Sequence, residues 1–148
     1  MSISKGAKDR APIRIFLSHS IGDIAHARKL RSLLAQRLNA RVFTAEDLSA
    51  GEDWKSTLRG KLAEANAVVA LLTPRSVHSG DVLHELGAAW ALGKPLFAVI
   101  TRREVLNSLP VSVQSAELAE LDDLQNDEAA DRFLNRLEDL MESAHVGV

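Results

Sequence analysis

The sequence predicts an α/β fold: a doubly wound parallel sheet of about five strands with helices on both faces. Short apolar runs alternate with helical patterns along the chain, which is the order expected of such a sheet. Two of the runs, 67–72 and 96–100, are apolar throughout, as strands are when helices cover both faces of a sheet. The helix predicted between them at 81–93 has the length of a crossover connection between parallel strands.

The first half of the chain supplies two strands and two helices. A β-branched and aromatic run at 13–17 predicts the first strand, and a leucine at every fourth position predicts a helix at about 24–38. A second strand begins with 41–43. The acidic segment 44–53 is predicted to be a long loop, and a helix follows it at 54–64.

The second half supplies the apolar centre of the sheet and a closing helix. The run 67–72 predicts the third strand, 81–93 the crossover helix and 95–101 the fourth strand. An amphipathic pattern at 127–142 predicts the last helix, with acidic residues at its start that suit the helix dipole. Two weaker patterns lie before it, a short helix at 102–109 and an edge strand at 116–121.

Length and composition limit the classes of protein. The 148 residues favour one domain, predicted at 12–143 between a flexible N-terminal arm (1–11) and a C-terminal tail (144–148). A net charge of −2 provides no overall attraction to nucleic acid or to an anionic membrane. The absence of cysteine excludes disulfides and thiolate metal sites, and the histidines lack metal-ligand spacing. With neither a signal-peptide pattern nor a membrane-length apolar run, we expect a cytoplasmic protein without a metal.

Glu85 is the most informative residue of the predicted crossover helix. Ser79 or Asp81 can cap the helix, and the apolar stripe that should pack on the sheet runs on both sides of Glu85 in sequence. An unpaired charge on a packing stripe is expensive, so a carboxylate there needs a reason. Two interpretations are open: a functional carboxylate, or a solvent-facing residue that caps the helix or pairs with Arg75.

The topology places a ligand site near Glu85. In an open α/β sheet, ligands bind outside the carboxyl ends of the strands. Those ends are predicted at 18–23, 44–53, 73–81 and 101–107, and the first three carry most of the non-helical serine, histidine, glycine and aspartate. The N-terminal half of the crossover helix opens onto the same edge. The topology therefore predicts the place of a site but not its chemistry.

Four segments together resemble a known family. They are Ile15-Phe16-Leu17-Ser18-His19-Ser20 with Asp23, Val42-Phe43 with Glu46-Asp47-Leu48 and Gly51-Glu52-Asp53-Trp54, Ala67–Thr73 with Pro74-Arg75-Ser76, and Val82-Leu83-His84-Glu85-Leu86-Gly87-Ala88-Ala89. In this order and spacing they resemble bacterial-type Toll/interleukin-1 receptor (TIR) domains, whose architecture is flavodoxin-like. The resemblance covers about residues 13–101, and the remainder to about 142 is compatible with it.

The resemblance implies an enzyme activity and a set of site residues. Enzymatic TIR domains cleave the nicotinamide–ribose bond of NAD+ and release nicotinamide with ADP-ribose or cyclic ADP-ribose. By position, Glu85 would be the catalytic residue. The residues that would bind substrate are Phe16, Ser18, His19, Asp47 and Trp54. NAD+ would be a substrate and not a redox cofactor, since the glycines form no dinucleotide fingerprint.

The resemblance also implies partners and a setting. The chain would form homo-oligomers with other TIR domains through the loop 44–53, and self-association would activate it. Antiviral defence or virulence is the expected context. Neither nucleic acid nor a membrane is expected as a partner.

The implied chemistry is consistent with a single carboxylate. Nicotinamide leaves a positively charged linkage as a neutral group, so its departure needs no general acid. One ionised carboxylate can then stabilise the oxocarbenium-like ribosyl centre, by charge or by transient attack. Partial burial of Glu85 would raise its pKa, and a nearby helix N-terminus would counter that shift.

Other interpretations remain open. A non-catalytic TIR adaptor that acts through homotypic contacts has the same motifs, and the segment 79–95 is also similar to the nucleophile helix of nucleoside deoxyribosyltransferases. A Ser18, His19 and Asp23 triad is disfavoured, because neighbours in one short loop rarely orient as nucleophile, base and orienter. Asp23 is predicted to be a first-turn helix residue, and Trp54 and Trp90 suit helix packing better than base stacking.

Overall fold

A computed structural model describes residues 12–47, 53–114 and 116–146, with a five-stranded, all-parallel sheet at its centre. The strands are β1 (Ile13–Ser18), β2 (Ala40–Phe43), β3 (Ala67–Leu72), β4 (Leu96–Ile100) and β5 (Glu117–Glu120). The helices are α1 (Ile24–Leu38), α2 (Trp54–Glu64), α3 (Gly80–Ala91) and α4 (Asp127–Val146). The strand order β2-β1-β3-β4-β5 confirms the predicted flavodoxin-like architecture.

Helices cover both faces of this sheet, and each face has its own apolar core. On one face α1 and α4 pack on the sheet through Leu30, Leu34, Phe133 and Leu137. On the other face α2 and α3 pack through Leu58, Leu62, Val82, Leu86 and Ala89. β3 is the central strand, and each of its residues is buried because helices cover both faces of the sheet. This burial explains why the run that predicted the third strand is apolar throughout.

The crossover helix α3 has marked ends. The hydroxyl of Ser79 accepts a hydrogen bond from the backbone N–H of Val82 (3.4 Å), so Ser79 is the cap that the sequence left undecided between itself and Asp81. After the helix, Gly93 adopts a left-handed backbone conformation (φ 71°) that a residue with a side chain rarely adopts. Trp90 is 63% exposed, so its prediction as a packing residue was wrong.

The remaining elements differ from prediction at their ends. The segment after β4 forms a 3₁₀ helix at Arg103–Ser108, and α4 continues to Val146, beyond the predicted end at residue 142. The predicted arm at 1–11 and the loop residues 48–52 lie outside the described part of the chain, so the predicted domain limits stay predictions. No helix in the described ranges is long and apolar enough to cross a membrane.

The strand order also determines where loops diverge. β1 lies between β2 and β3, and the connections from β1 and β3 lead to helices on opposite faces of the sheet. A crevice is therefore expected at the carboxyl ends of β1 and β3. Ser18 closes β1 there, in register with Ala70 of β3.

Candidate functional site

Glu85 and Ser18 meet at this edge of the sheet. Ser18 is fully buried and Glu85 is 3% exposed. The Ser18 hydroxyl donates a hydrogen bond of 2.5 Å to Oε1 of Glu85. Because Glu85 is buried and bonded to Ser18, the alternative interpretation as a solvent-facing residue paired with Arg75 was wrong.

The local sequence explains how the two side chains come together. Side chains two apart on a strand share a face, so Ser18 points the same way as Phe16, whose ring packs in the core beneath α2 and α3. On α3, Glu85 follows Val82 by three residues and precedes Ala89 by four, which places it on the helix face that packs on the sheet. A strand of alternating pattern and a helix of 3.6-residue period thus bring a hydroxyl and a carboxyl together.

The pKa of Glu85 is raised from 4.5 to about 7, mainly because burial disfavours the charged form. The hydrogen bond from Ser18 lowers the pKa, and the negative charge of Asp81 one turn earlier raises it. The upward shift expected from the sequence is therefore present. Near neutral pH the carboxyl and carboxylate forms are both populated, which is a useful property for a group that exchanges protons or stabilises positive charge.

His19 lies between the ends of the first two strands. Its side chain is 5% exposed, Nδ1 donates to the backbone oxygen of Ser20 (2.9 Å), and Nε2 is 3.6 Å from a carboxylate oxygen of Glu46. Among the described residues, its polar contacts are with these two neighbours and not with Ser18 or Glu85. A substrate contact by His19 stays a prediction.

Asp47 is held by the helix and strand around it. Its carboxylate accepts a hydrogen bond from the backbone N–H of Thr44 (2.9 Å) and pairs with Arg31 of α1 (3.1 Å). Arg31 also donates to the backbone oxygen of Val42, on the outer strand of the sheet. These contacts fix the beginning of the predicted loop 44–53, whose residues 48–52 lie outside the described part of the chain.

The two predicted aromatic site residues differ in what the structure shows. Phe16 is fully buried, and its ring centroid lies 5.8 Å from that of Phe43. It therefore supports the site from the core below it. Trp54 begins α2, but its side chain lies outside the described residues, so its role stays a prediction.

The sequence analysis missed a buried polar network that joins two of the loops. Asp23 is 7% exposed, and its Oδ2 accepts hydrogen bonds from the hydroxyls of Ser20 (2.6 Å) and Thr73 (2.8 Å). Asp23 lies in the 3₁₀ turn Ile21–Asp23 that leads directly into α1, which confirms its predicted place at the start of the helix, but its side chain bonds across to the end of β3 and makes no cap hydrogen bond. The available signal was that the loops after two neighbouring strands, β1 and β3, both carry polar residues.

The described residues do not form the other kinds of centre considered. Ser20 and not Ser18 bonds to Asp23, and the ring of His19 bonds to the backbone oxygen of Ser20 and not to the hydroxyl of Ser18 or the carboxylate of Asp23. Within the described ranges, no group of three or more histidine, aspartate or glutamate residues could hold a metal ion. The site is thus a buried carboxyl with a hydroxyl partner, beside two loops that are joined by Asp23.

Comparison with known proteins assigns the class of this fold. The family model for the TIR domain matches residues 15–139. The chain therefore belongs to the TIR domain family, which confirms the resemblance drawn from the four segments. No curated protein matches the sequence.

Two solved structures share the fold at low sequence identity. The CMP N-glycosidase BcmB of Clostridium botulinum is 14% identical, with a TM-score of 0.50 over 72% of this chain and 86% of that one. The NanR protein of Vibrio vulnificus, solved in complex with ManNAc-6P, is 14% identical, with a TM-score of 0.53 over 98% of this chain and 59% of that one. At such identities the likeness shows the fold alone.

Proposed function

We propose that this TIR domain is an NAD+ glycohydrolase with Glu85 as its catalytic residue. The observation that carries the proposal is the buried carboxyl of Glu85, whose pKa lies near 7 at the carboxyl edge of the sheet. Membership of the TIR family supports it, since the enzymatic branch that the sequence resembles acts on NAD+. A carboxylate with a purely structural role is stabilised by solvent or by a charged partner. Among the described residues, Glu85 instead has one neutral partner, the hydroxyl of Ser18.

The proposed reaction balances without a cofactor. The bond between C1′ of the ribose and the nicotinamide nitrogen breaks, and its electron pair leaves with neutral nicotinamide. The Glu85 carboxylate stabilises the positive charge on C1′, and the oxygen of water forms the new bond there while its proton passes to the carboxylate and then to solvent. One carboxylate suffices because the leaving group needs no proton, whereas O-glycoside hydrolysis uses two. Capture of C1′ by the adenine of the same molecule in place of water would give the cyclic product.

The proposal requires a change at the site before reaction. With Glu85 3% exposed, its carboxyl can approach C1′ only after the atoms that cover it have moved. Self-association through the loop 44–53, which the TIR resemblance implies, is the proposed trigger. The test must therefore include conditions that bring copies of the chain together.

The test compares wild type with Glu85→Gln, which keeps the shape of the side chain and removes its charge. Wild type, concentrated or clustered on a surface, should release nicotinamide from NAD+, and Glu85→Gln should lose roughly 100- to 1000-fold in rate. Glu138→Gln is the matched control, since Glu138 is an exposed residue of α4 on the opposite face of the sheet. Equal activity of Glu85→Gln and wild type would show that the chemistry is elsewhere.

One observation favours a second candidate, a non-catalytic TIR adaptor. The covered position of Glu85 is what a buried structural residue would show. The adaptor interpretation predicts that clustered wild type releases no nicotinamide and that Glu85→Gln assembles normally. Deoxynucleosides and CMP should be assayed in parallel, because base exchange or base release from them without action on NAD+ would instead indicate a different N-glycosidic enzyme.

A further inference from the structure

Arg75 lies in the loop after β3, and its guanidinium rests on Gly22 of the loop after β1. A Cβ atom at Gly22 would overlap Nη1 of Arg75 and would lie 2.7 Å from Cζ and 2.9 Å from Cδ. Arg75 is exposed, and no carboxylate in the described ranges forms an ion pair with it. The backbone at Gly22 is not left-handed, so its missing side chain serves this close approach and not a turn.

Buried hydrogen bonds hold the two loops under Arg75 in place. Asp23, next to Gly22, accepts a hydrogen bond of 2.8 Å from the hydroxyl of Thr73. Thr73 and Ser76 exchange two bonds between hydroxyl and backbone N–H, at 2.8 and 3.0 Å, so both ends of the Arg75 segment are fixed. The backbone that carries Arg75 is therefore fixed relative to the loop after β1, so an anion bound there would not need to order the loop.

The guanidinium is also within reach of the candidate catalytic group. Gly22 follows Ser18 by four residues, so at most about 14 Å of extended chain separates them. Ser18 is the hydrogen-bond partner of Glu85. A substrate with its anomeric carbon at Glu85 is therefore long enough for the phosphates of its 5′ substituent to reach Arg75.

We propose that Arg75 binds the phosphate groups of the substrate and that Gly22 is a positioning residue that leaves room for the guanidinium. The proposal rests on the proposed function and adds the residue that recognises the 5′ diphosphate of the substrate. A planar guanidinium donates paired hydrogen bonds to phosphate oxygens, which makes arginine the preferred residue for such recognition. The site then consists of a carboxyl for C1′ and a cation for the phosphates.

The test uses two substrates that share the nicotinamide–ribose bond. NAD+ carries a diphosphate and nicotinamide riboside carries no phosphate. Arg75→Gln should lower kcat/KM for NAD+ roughly 10- to 100-fold, mainly through KM, and should leave the riboside unchanged. Arg75→Lys should restore part of the loss, because it keeps the charge without the planar fork.

Gly22→Ala is the matched variant, because it displaces the guanidinium without removing its charge. It should raise KM for NAD+ as Arg75→Gln does, and the double variant should lose little more than either single variant. A purely structural role of Arg75 would instead lower the thermal midpoint and reduce the turnover of both substrates equally. That result would overturn the proposal.

A binding measurement separates this proposal from the proposed function. Calorimetric titration of wild type and Arg75→Gln with ADP-ribose and with adenosine needs no turnover. Binding of ADP-ribose that Arg75→Gln weakens would support the phosphate role of Arg75 even if the wild type releases no nicotinamide. If NAD+ is hydrolysed but ADP-ribose binds both proteins equally, Arg75 is not the phosphate residue. If ADP-ribose does not bind wild type at all, the proposal also fails.

Discussion

Asp23 and Glu85 are buried carboxyl residues at the same edge of the sheet, but they differ in the hydrogen bonds they accept. Among the described residues, Asp23 accepts two hydrogen bonds from hydroxyls, one from Ser20 in its own loop and one from Thr73 at the end of β3. Within the described part of the chain, Glu85 accepts one hydrogen bond, from the hydroxyl of Ser18 at the end of β1. The difference teaches that burial alone does not identify a reactive carboxyl. The hydrogen bonds of Asp23 join two loops, whereas burial raises the pKa of Glu85.

Removing the Asp23 side chain is the largest expected change in stability. Asp23→Ala leaves the buried hydroxyl of Thr73 without its acceptor and separates two loops, so we expect the free energy of unfolding to fall by about 3 kcal/mol. Urea unfolding measures it. Asp23→Asn, which keeps an acceptor oxygen, should lose less, and Asp139→Ala on the exposed side of α4 should change little. A loss below about 0.5 kcal/mol would show that Asp23 is not a structural tie.

Glu85 should show the opposite behaviour, a charge that opposes folding. Its pKa is raised to about 7 in the folded state from 4.5, so the folded protein holds this proton more tightly than the unfolded chain. The contribution to stability is complete at pH below 4.5 and is lost as pH rises through 7. As pH rises from 5 to 8, the free energy of unfolding of wild type should therefore fall by about 2.5 kcal/mol relative to that of Glu85→Gln. Unfolding curves at both pH values test this, and a pH-independent difference would contradict the raised pKa.

The same ionisation should appear in catalysis if the carboxylate is the active form. We expect kcat/KM for NAD+ to fall about tenfold for each pH unit below 7 and to level off above pH 8. Nicotinamide release across a pH series measures it. A flat profile between pH 5 and pH 8 would mean that Glu85 does not act as an ionised group.

Ser18 and Asp81 should shift that midpoint in opposite directions by smaller amounts. Ser18→Ala removes the hydrogen bond that lowers the pKa of Glu85, so the midpoint should move to higher pH. Asp81→Asn removes the negative charge that raises it, so the midpoint should move to lower pH. We expect each shift to be smaller than about one pH unit. Shifts of the same sign would show that the midpoint belongs to another group.

The sequence predicted most of the fold because its elements carry strong local signals. The strand at 67–72 and the helices at 24–38 and 54–64 have the predicted bounds, since apolar runs and periodic leucines are local patterns. The end of α4 was placed too early, because a polar helix end lacks an apolar period. Trp90 was misplaced because a helical period does not tell whether another element covers the outer face.

The candidate site was predicted in part. Glu85 and Ser18 were both singled out, and the structure brings them together over 67 residues of chain. Asp23 and Thr73 were not recognised as partners, because 50 residues separate them and neither belongs to a periodic pattern. Phe16 was expected in the site and lies fully buried beneath it.

The sequence by itself determined the α/β class, the order of the strands and helices along the chain, and the TIR family, because these depend on local patterns of apolar and polar residues. Only the tertiary structure decided that Glu85 is covered and holds its proton near neutral pH, that Asp23 joins two loops, and that Arg75 rests on Gly22. Each of these properties depends on the distance between side chains far apart in sequence. Packing of the helices on the sheet sets those distances, and with them the solvation on which the pKa of Glu85 depends.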